Sequence, residues 1–183
     1  MIIGLTGTMA SGKGEIVKYL KAKGFEHYVY SDILREIAKQ RGVEPTRENL
    51  QKLGTDIKRE TKSPGILSKK LLEKIKTNKA IVDGIRNADE IRELRKQRET
   101  YIIGVTAPKR VRYERIRKRN RKGDPKTFSE FEKLDNLENR GKTKGQEINK
   151  CLKMADFIIN NNNTLEKLKK EVDKVLSSIS SQT

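Results

Sequence analysis

Short apolar runs alternate along the chain with longer segments in which apolar and polar residues are mixed. Five runs rich in β-branched residues predict buried strands at residues 1–6, 28–30, 79–84, 101–106 and 156–160. Strands that are separated by helical segments are typical of a parallel sheet with helices on both faces. We therefore predict an α/β fold with a five-stranded parallel sheet, in a single domain that spans residues 1–183.

Capping signals help to set the bounds of the predicted helices. Ser63 before Pro64 predicts an N-cap followed by proline at the first helical position. Asn87 and Glu90 have the spacing of a capping box. The predicted helices cover residues 13–23, 32–41, 46–60, 63–76, 87–96, 108–119, 128–139, 145–154 and 164–178.

A phosphate-binding motif follows the first predicted strand. Residues 4–16 read GLTGTMASGKGEI, and Gly7, Gly12 and Lys13 have the spacing of a G-x-x-x-x-G-K loop. The glycines allow a tight turn, the helix N-terminus attracts phosphate, and the lysine reaches the β- and γ-phosphates. A glycine-rich turn without a ligand is disfavoured, because spacing, lysine and context agree. The predicted nucleotide-binding residues of this loop are Gly7, Thr8, Ala10, Ser11, Gly12, Lys13, Gly14 and Glu15.

The residue after the lysine departs from the usual loop. Ser or Thr normally follows the lysine and binds Mg²⁺ through its hydroxyl, but here Gly14 and Glu15 follow. The metal must then be held by phosphate oxygens, waters and a carboxylate, which Mg²⁺ accepts because it keeps several waters. We expect ATP and Mg²⁺ as the cofactors.

The composition narrows the class of ligand. The net charge is +17, with 42 Lys and Arg against 25 Asp and Glu. Such a surface either binds nucleic acid or gathers small polyanions. Few aromatic residues lie among the basic ones, so a stacking platform for single strands is not indicated and nucleic acid is disfavoured.

The sequence also indicates a setting. No apolar stretch approaches the roughly 18 residues of a membrane helix, and the N-terminus lacks the basic start of a signal peptide. The single cysteine, Cys151, excludes an internal disulfide and is expected in a helix core. We expect a cytoplasmic protein, and its oligomeric state stays open.

Several stretches resemble nucleoside monophosphate kinases. The loop GKG is similar to that of adenylate kinases, although Glu15 stands where they have Thr. SDILRE at 31–36, IVDGIR at 81–86 and YERIRKR at 113–119 resemble their acceptor-helix, D-G-F-P-R and lid segments. GKGE, DILRE, DGIR and ADFIIN together resemble a mostly archaeal group of adenylate-kinase-related P-loop proteins. GLTG and ADFIIN also resemble the ends of dephospho-CoA kinases.

The resemblance implies roles for individual residues. Arg35 and Arg86 would bind the acceptor phosphate, for which a planar guanidinium is suited. Asp83 would accept a hydrogen bond from a water of Mg²⁺. Arg115 and Arg119 share a helix face; the first would lie over the donor base and the second would clamp the transferring phosphate. Ordinary surface charge is the alternative for the arginines, and a cap or turn for Asp83.

Two further residues gain roles in the same way. Asn160 would line the donor-base pocket, or it is only a turn residue. Asp32 would orient arginines or metal waters in a monophosphate kinase, would take a proton from a sugar hydroxyl in a dephospho-CoA kinase, or only caps a helix. The acceptor-binding helices would cover about 32–76 and the lid about 115–140.

The leading interpretation is a P-loop NTPase of the nucleotide-kinase type with a short helical lid. It would transfer phosphate from ATP to a nucleoside or deoxynucleoside monophosphate, with Lys13, Asp32 and Arg119 as its catalytic residues. Such transfer needs alignment and charge neutralisation, and a closing lid excludes water. A dephospho-CoA kinase-like activity and an ATPase switch that binds a partner such as RNA remain as alternatives. The base and sugar of the acceptor stay open.

Overall fold

The computed structural model describes residues 1–97, 99–121, 123–139 and 147–181, and these residues contain a parallel sheet of five strands. The strands occur in the order β2-β3-β1-β4-β5, so that β1 lies at the centre. All four pairings are parallel, which confirms the predicted sheet. The strands are β1 (Ile2–Gly7), β2 (Glu26–Val29), β3 (Ala80–Ile85), β4 (Thr100–Thr106) and β5 (Phe157–Asn160).

Helices connect the strands and follow the last one. Within the described ranges they are α1 (Lys13–Ala22), α2 (Tyr30–Gln40), α3 (Arg47–Glu60), α4 (Ile66–Leu72), α5 (Ala88–Leu94), α6 (Lys109–Arg119), α7 (Phe128–Asn139), α8 (Ile148–Lys153) and α9 (Leu165–Ser180). The helix predicted at 145–154 begins outside the described residues. No helix in the described part of the chain is long and apolar enough to cross a membrane.

Two apolar clusters cover the opposite faces of the sheet. Successive side chains of a strand point to opposite faces, so Ile81 of β3 joins one cluster and Val82 joins the other. The first cluster contains residues of α1 and α9, and the second contains residues of α2, α4, α5 and α8. Helices therefore cover both faces, as predicted. Cys151 is buried in the second cluster, and burial raises the pKa of its thiol to about 12.

The start of α2 differs from the prediction. Tyr30 was expected in a strand, because aromatic and β-branched residues favour strands, but it is the first residue of α2. Its side chain is buried, and its hydroxyl lies 2.7 Å from the hydroxyl of Ser68 on α4. This tertiary contact outweighs the local preference.

The start of α4 also differs. Ser63 was predicted as an N-cap and Pro64 as the first helical residue, but the helix begins at Ile66 with Gly65 as its N-cap. The amide of Ile66 donates to the carbonyl oxygen of Ser63 at 3.2 Å, so the residues before the helix form a turn. The capping box of Asn87 is confirmed, with both of its hydrogen bonds present.

Candidate functional site

A cavity of about 720 Å³ opens at the carboxyl ends of the central strands. Parallel α/β sheets bind their ligands at this edge. The walls come from the phosphate loop, the end of β3, helix α6, the loop before α7, the last turns of α7 and the chain after β5. The charged residues that line it are Lys13, Glu15, Asp83, Arg86, Arg115, Arg119, Arg121, Asp124 and Glu138.

Two glycines of the loop are required by its shape. Gly7 has a φ of +145°, and a Cβ there would lie 2.1 Å from the carbonyl oxygen of Val105. Gly12 has a φ of +104°, and a Cβ there would lie 2.0 Å from Nδ2 of Asn161. L-residues rarely adopt such angles. The spacing that predicted a phosphate loop therefore coincides with two positions at which only glycine fits.

Lys13 lies at the centre of the cavity wall, in the first turn of α1. Its ammonium donates to the carbonyl oxygens of Gly7 at 2.7 Å and Thr8 at 3.0 Å. Burial lowers the pKa of Lys13 to about 8, although the carboxylates of Asp83 and Glu138 oppose this shift. The ammonium therefore bonds to loop carbonyls at the place where phosphate oxygens are expected.

The two hydroxyls of the loop are unpartnered within the part of the chain that the structure describes. Thr8 Oγ1 and Ser11 Oγ are buried and find no hydrogen bond among the described residues. Buried hydroxyls are normally hydrogen-bonded, and of these two residues Ser11 lines the cavity. Gly14 differs from the other two loop glycines, because a Cβ there would meet no atom within 4 Å. Space therefore does not require glycine at residue 14.

Asp83 belongs to β3 and lines the cavity. Its Oδ1 is buried without a hydrogen-bond partner among the described residues, and its Oδ2 lies 3.7 Å from Nε2 of His27. Mg²⁺ in nucleotide sites commonly takes one or two carboxylates, phosphates and waters rather than a cage of protein ligands. The described residues contain no group of three or more His, Cys, Asp or Glu that could hold a metal ion. The orphaned oxygen of Asp83 and the open space at Gly14 fit a hydrated Mg²⁺.

Arg115 fastens helix α6 to the phosphate loop. Its guanidinium donates to the carbonyl oxygens of Ser11 at 3.1 Å and Asn161 at 2.9 Å, and burial lowers its pKa. The side chain of Asn161 also donates to Ser11 at 2.8 Å. Asn160, which was predicted here, is exposed and accepts from the hydroxyl of Thr106 instead. Asn161 therefore lines the cavity in place of the neighbouring Asn160, since successive side chains at a strand end point to opposite sides.

Arg119 lies at the rim of the cavity in a bidentate ion pair with Asp124. The two hydrogen bonds measure 2.8 and 2.6 Å. Hydrogen bonding to Arg119 holds the pKa of the Asp124 carboxyl below its ordinary value. The described part of the predicted lid thus carries a cation that is already paired with a carboxylate of the following loop.

Arg112 is a residue that the sequence interpretation missed. Its guanidinium forms a buried bidentate pair with Asp135 of α7, at 2.6 and 2.8 Å, and donates to the carbonyl oxygen of Met9 at 3.2 Å. One side chain thus joins α6, α7 and the phosphate loop. Arg112 is three residues before Arg115, so a shared helix face was the available signal. Glu138 of α7, which also lines the cavity, was missed as well.

The two predicted acceptor arginines lie in different places. Arg86 lines the cavity, and its amide donates to the buried carboxylate of Glu90 at 3.0 Å. Arg35 does not line it. That side chain is about half exposed and donates to Asp32 at 2.6 Å and to Ser31 at 3.0 Å. Asp32 also lies outside the cavity, because it faces solvent in the first turn of α2.

The family of the chain follows from comparison with known sequences. The profile of the AAA domain family matches residues 3–151. A UPF0200 protein of Hyperthermus butylicus is 35% identical over 100% of this chain and 96% of its own length. A UPF0200 protein of Pyrococcus abyssi is 36% identical, over 98% of this chain and 97% of its own length. The chain belongs to the UPF0200 family.

Solved structures share the fold at low sequence identity. A shikimate kinase from Aquifex aeolicus superposes with a TM-score of 0.57, 18% identity and full coverage of both chains. A shikimate kinase from Bacteroides thetaiotaomicron has a TM-score of 0.61 at 12% identity, covering 97% of this chain and 98% of its own. At such identities the likeness shows the fold alone, which is that of a P-loop kinase.

Proposed function

We propose that the protein is a phosphotransferase that uses ATP and Mg²⁺ and that its acceptor is a nucleoside or deoxynucleoside monophosphate. The observation that carries this proposal is the convergence of Lys13 and four arginines on one cavity beside a phosphate loop. Phosphoryl transfer requires little covalent chemistry from the protein; it requires alignment and neutralisation of the phosphate charges. Four carboxylates line the same cavity, so the cations and a bound Mg²⁺ together would neutralise the phosphates of the two ligands.

The donor would occupy the side of the cavity formed by the loop and α6. Lys13 would exchange its two loop carbonyls for β- and γ-phosphate oxygens, while the amides at the start of α1 bind the same phosphates. Arg115 and Asn161 border the space for the base. Asp83 would hold a hydrated Mg²⁺, which offsets phosphate charge when bound. Arg119 would leave Asp124 and clamp the transferring phosphate, a contact that strengthens in the transition state.

The acceptor would enter beside Arg86. A monophosphate acceptor offers an ionised oxygen as the nucleophile, so it needs a guanidinium to hold it rather than a base. Arg35 would join Arg86 after a movement of α2 toward the cavity. The ion pair that it must leave is exposed, and exposed pairs contribute only about 0–1 kcal/mol. Releasing Arg35 from this pair is therefore inexpensive.

A hydroxyl acceptor, as in a dephospho-CoA kinase-like reaction, is the second candidate. The unpartnered Oδ1 of Asp83 favours it, because a carboxylate in the cavity can take the proton of a hydroxyl nucleophile. Asp32 was the sequence candidate for that base. It faces solvent outside the cavity, so in this reaction Asp83 is the better candidate.

The test is turnover with defined acceptors. Purified protein receives ATP and Mg²⁺ with each common ribo- and deoxyribonucleoside monophosphate, with dephospho-CoA, or with no acceptor, and phosphorus NMR identifies the products. We expect a nucleoside diphosphate with at least one monophosphate, and none with Lys13→Ala. A product only with dephospho-CoA favours the second candidate. Equal ATP hydrolysis with every addition contradicts both and favours the ATPase switch.

A further inference from the structure

The cavity beside the phosphate loop is lined by a second carboxylate besides Asp83, that of Glu138. It belongs to the last turn of α7 and lines the same cavity as Lys13 and Asp83. Its negative charge and that of Asp83 both raise the pKa of the Lys13 ammonium, against the lowering that burial causes. Glu138 lies some 125 residues after Lys13 in the sequence. Only the fold shows that both residues line the same cavity.

The orientation of α7 explains why Glu138 faces the loop. Asp135, one turn earlier, is buried against Arg112, which also donates to the carbonyl oxygen of Met9 in the phosphate loop. Residues three apart share a helix face, so Glu138 follows Asp135 on the face that looks toward the loop. Leu134, four residues before Glu138, lines the cavity too.

The loop lacks one ligand that this carboxylate can replace. At Gly14 no hydroxyl is present, and no other atom fills the space within 4 Å of the missing Cβ. Asp83 supplies one carboxylate, with a buried oxygen that has no partner among the described residues. Mg²⁺ sites on nucleotide phosphates commonly use one or two carboxylates. A second carboxylate beside Asp83 is therefore compatible with such a site.

Two other carboxylates line the cavity from different elements, α1 and the loop after α6. Glu15 pairs with Lys18 at 2.8 Å on the outer side of α1, and Asp124 is bound by Arg119 at the rim. The carboxylates among the main influences on the pKa of Lys13 are instead those of Asp83 and Glu138, and Lys13 lies where the β- and γ-phosphates are expected.

We propose that Glu138 is the second carboxylate of the magnesium site and holds the hydrated metal in place of the hydroxyl that residue 14 lacks. This inference rests on the proposed use of Mg²⁺ and ATP, but not on the identity of the acceptor. It makes two predictions of opposite sign. Without Mg²⁺, Glu138 repels the phosphates of ATP; with Mg²⁺, it helps to hold the metal–nucleotide complex.

The experiment measures binding of a fluorescent, non-hydrolysable ATP analogue, first in EDTA and then at increasing Mg²⁺. The variants are Glu138→Gln, Gly14→Ser and the double variant. Glu132→Gln is the matched control, since Glu132 lies on the same helix, outside the cavity, and pairs with Lys109 at 3.1 Å. Circular dichroism melting checks the fold of each. Should Glu138→Gln not fold, Glu138→Asp carries the same test with a shorter reach.

We expect Glu138→Gln to raise the Mg²⁺ concentration for half-saturation by about tenfold, the usual cost of losing a group that positions a metal. In EDTA the same variant should bind the analogue as tightly as the wild type or more tightly. Adding Gly14→Ser should restore the Mg²⁺ requirement to within about threefold of the wild type, because a hydroxyl then supplies the missing ligand. Glu132→Gln should change neither quantity.

An unchanged Mg²⁺ requirement in Glu138→Gln overturns the inference while leaving the proposed function intact. So does a loss of binding that is equal with and without Mg²⁺ and that Gly14→Ser does not restore, since this marks a structural role. If the wild type binds the analogue in neither condition, the proposed function fails with it. The outcomes are therefore distinguishable.

Discussion

The elements of the proposed donor side of the cavity are already joined, whereas those of the proposed acceptor side are not. On the donor side, Arg115 and Arg112 join α6 to the phosphate loop through direct hydrogen bonds. On the acceptor side, none of the described residues of α2, α3 or α4 lines the cavity. The guanidinium of Arg35 donates to Asp32 in the same helix. Under the proposed function, the elements that would bind ATP are already joined, whereas α2 would have to move before Arg35 could reach a second ligand.

This difference means that changes in α2 should affect the affinities for ATP and for the acceptor differently. The elements of the proposed donor side are already joined by hydrogen bonds, and α2 is not among them, so ATP affinity should be insensitive to changes in α2. A closing element gains its contacts only when its ligand is present. Changes in α2 should therefore act on the acceptor alone.

The largest expected effect comes from Lys13, at the centre of the donor side. Lys13→Met should lower turnover by about a thousandfold or more, because a cation aimed at the transferring phosphates is lost in a partly water-excluded site. The measurement is steady-state turnover with the acceptor that supports the wild type. Turnover within about threefold of the wild type would contradict the kinase interpretation outright.

The same substitution should stabilise the protein without ligand. The folded pKa of Lys13, about 8, lies below its ordinary value of 10.5, so the unfolded chain binds more protons between these values and the charged lysine opposes folding below them. At pH 7, Lys13→Met should raise the melting temperature by a few degrees. The gain should shrink as the pH rises from about 8 toward 10.5. A lower melting temperature at pH 7 would show that the lysine supports the loop instead.

The next effect concerns the lid side of the donor region. Arg119→Ala should lower kcat by about a hundredfold but weaken ATP binding by less than about threefold, since its contact strengthens in the transition state. Arg117→Ala is the control, because Arg117 is exposed on the same helix. Equal changes in kcat and ATP affinity would place Arg119 in ground-state binding.

Substitutions of the two proposed acceptor arginines should change the acceptor KM and not the ATP KM, unlike substitutions on the donor side. Arg86→Ala and Arg35→Ala should each raise the acceptor KM by about tenfold or more, the cost of a lost charge-assisted hydrogen bond, and leave the ATP KM unchanged. Lys39→Ala, an exposed change one turn beyond Arg35, is the control. If Arg86→Ala has this effect and Arg35→Ala does not, α2 does not close and the comparison between the two sides is wrong.

The smallest effect is expected at Asp32. Its exposed pair with Arg35 should contribute little, so Asp32→Asn should lower turnover by less than about tenfold, without a new pH dependence. A pH–rate profile of both proteins, with the monophosphates and with dephospho-CoA, measures this. A loss of several orders of magnitude that appears only with dephospho-CoA would favour the hydroxyl acceptor.

The parts of the site that lie close together in sequence were predictable. The loop was found because the spacing of Gly7, Gly12 and Lys13 is a local requirement of backbone shape. The five strands were found because buried β-branched runs are also local. Arg86 and Asp83 were reached through motif resemblance, and both do line the cavity.

The parts that depend on distant contacts were not predictable. Asn161 lines the cavity rather than Asn160, because the side that each faces depends on where β5 ends and on its contact with Ser11. The pair of Arg112 and Asp135 joins residues of two helices that are both rich in charge, so nothing local marks them as buried. Glu138 lines the cavity from the same helix as Asp135, far from the loop in sequence.

Hydrogen–deuterium exchange tests the contrast between the two sides most directly. Exchange is followed in the protein alone, with a non-hydrolysable ATP analogue and Mg²⁺, and with the analogue plus the monophosphate that supports turnover. We predict that the analogue alone protects the loop and the start of α1 but leaves α2 to α4 unchanged, and that those helices gain protection only when the monophosphate is added. Protection of α2 to α4 by the analogue alone, or no protection of the loop by either ligand, would contradict the account.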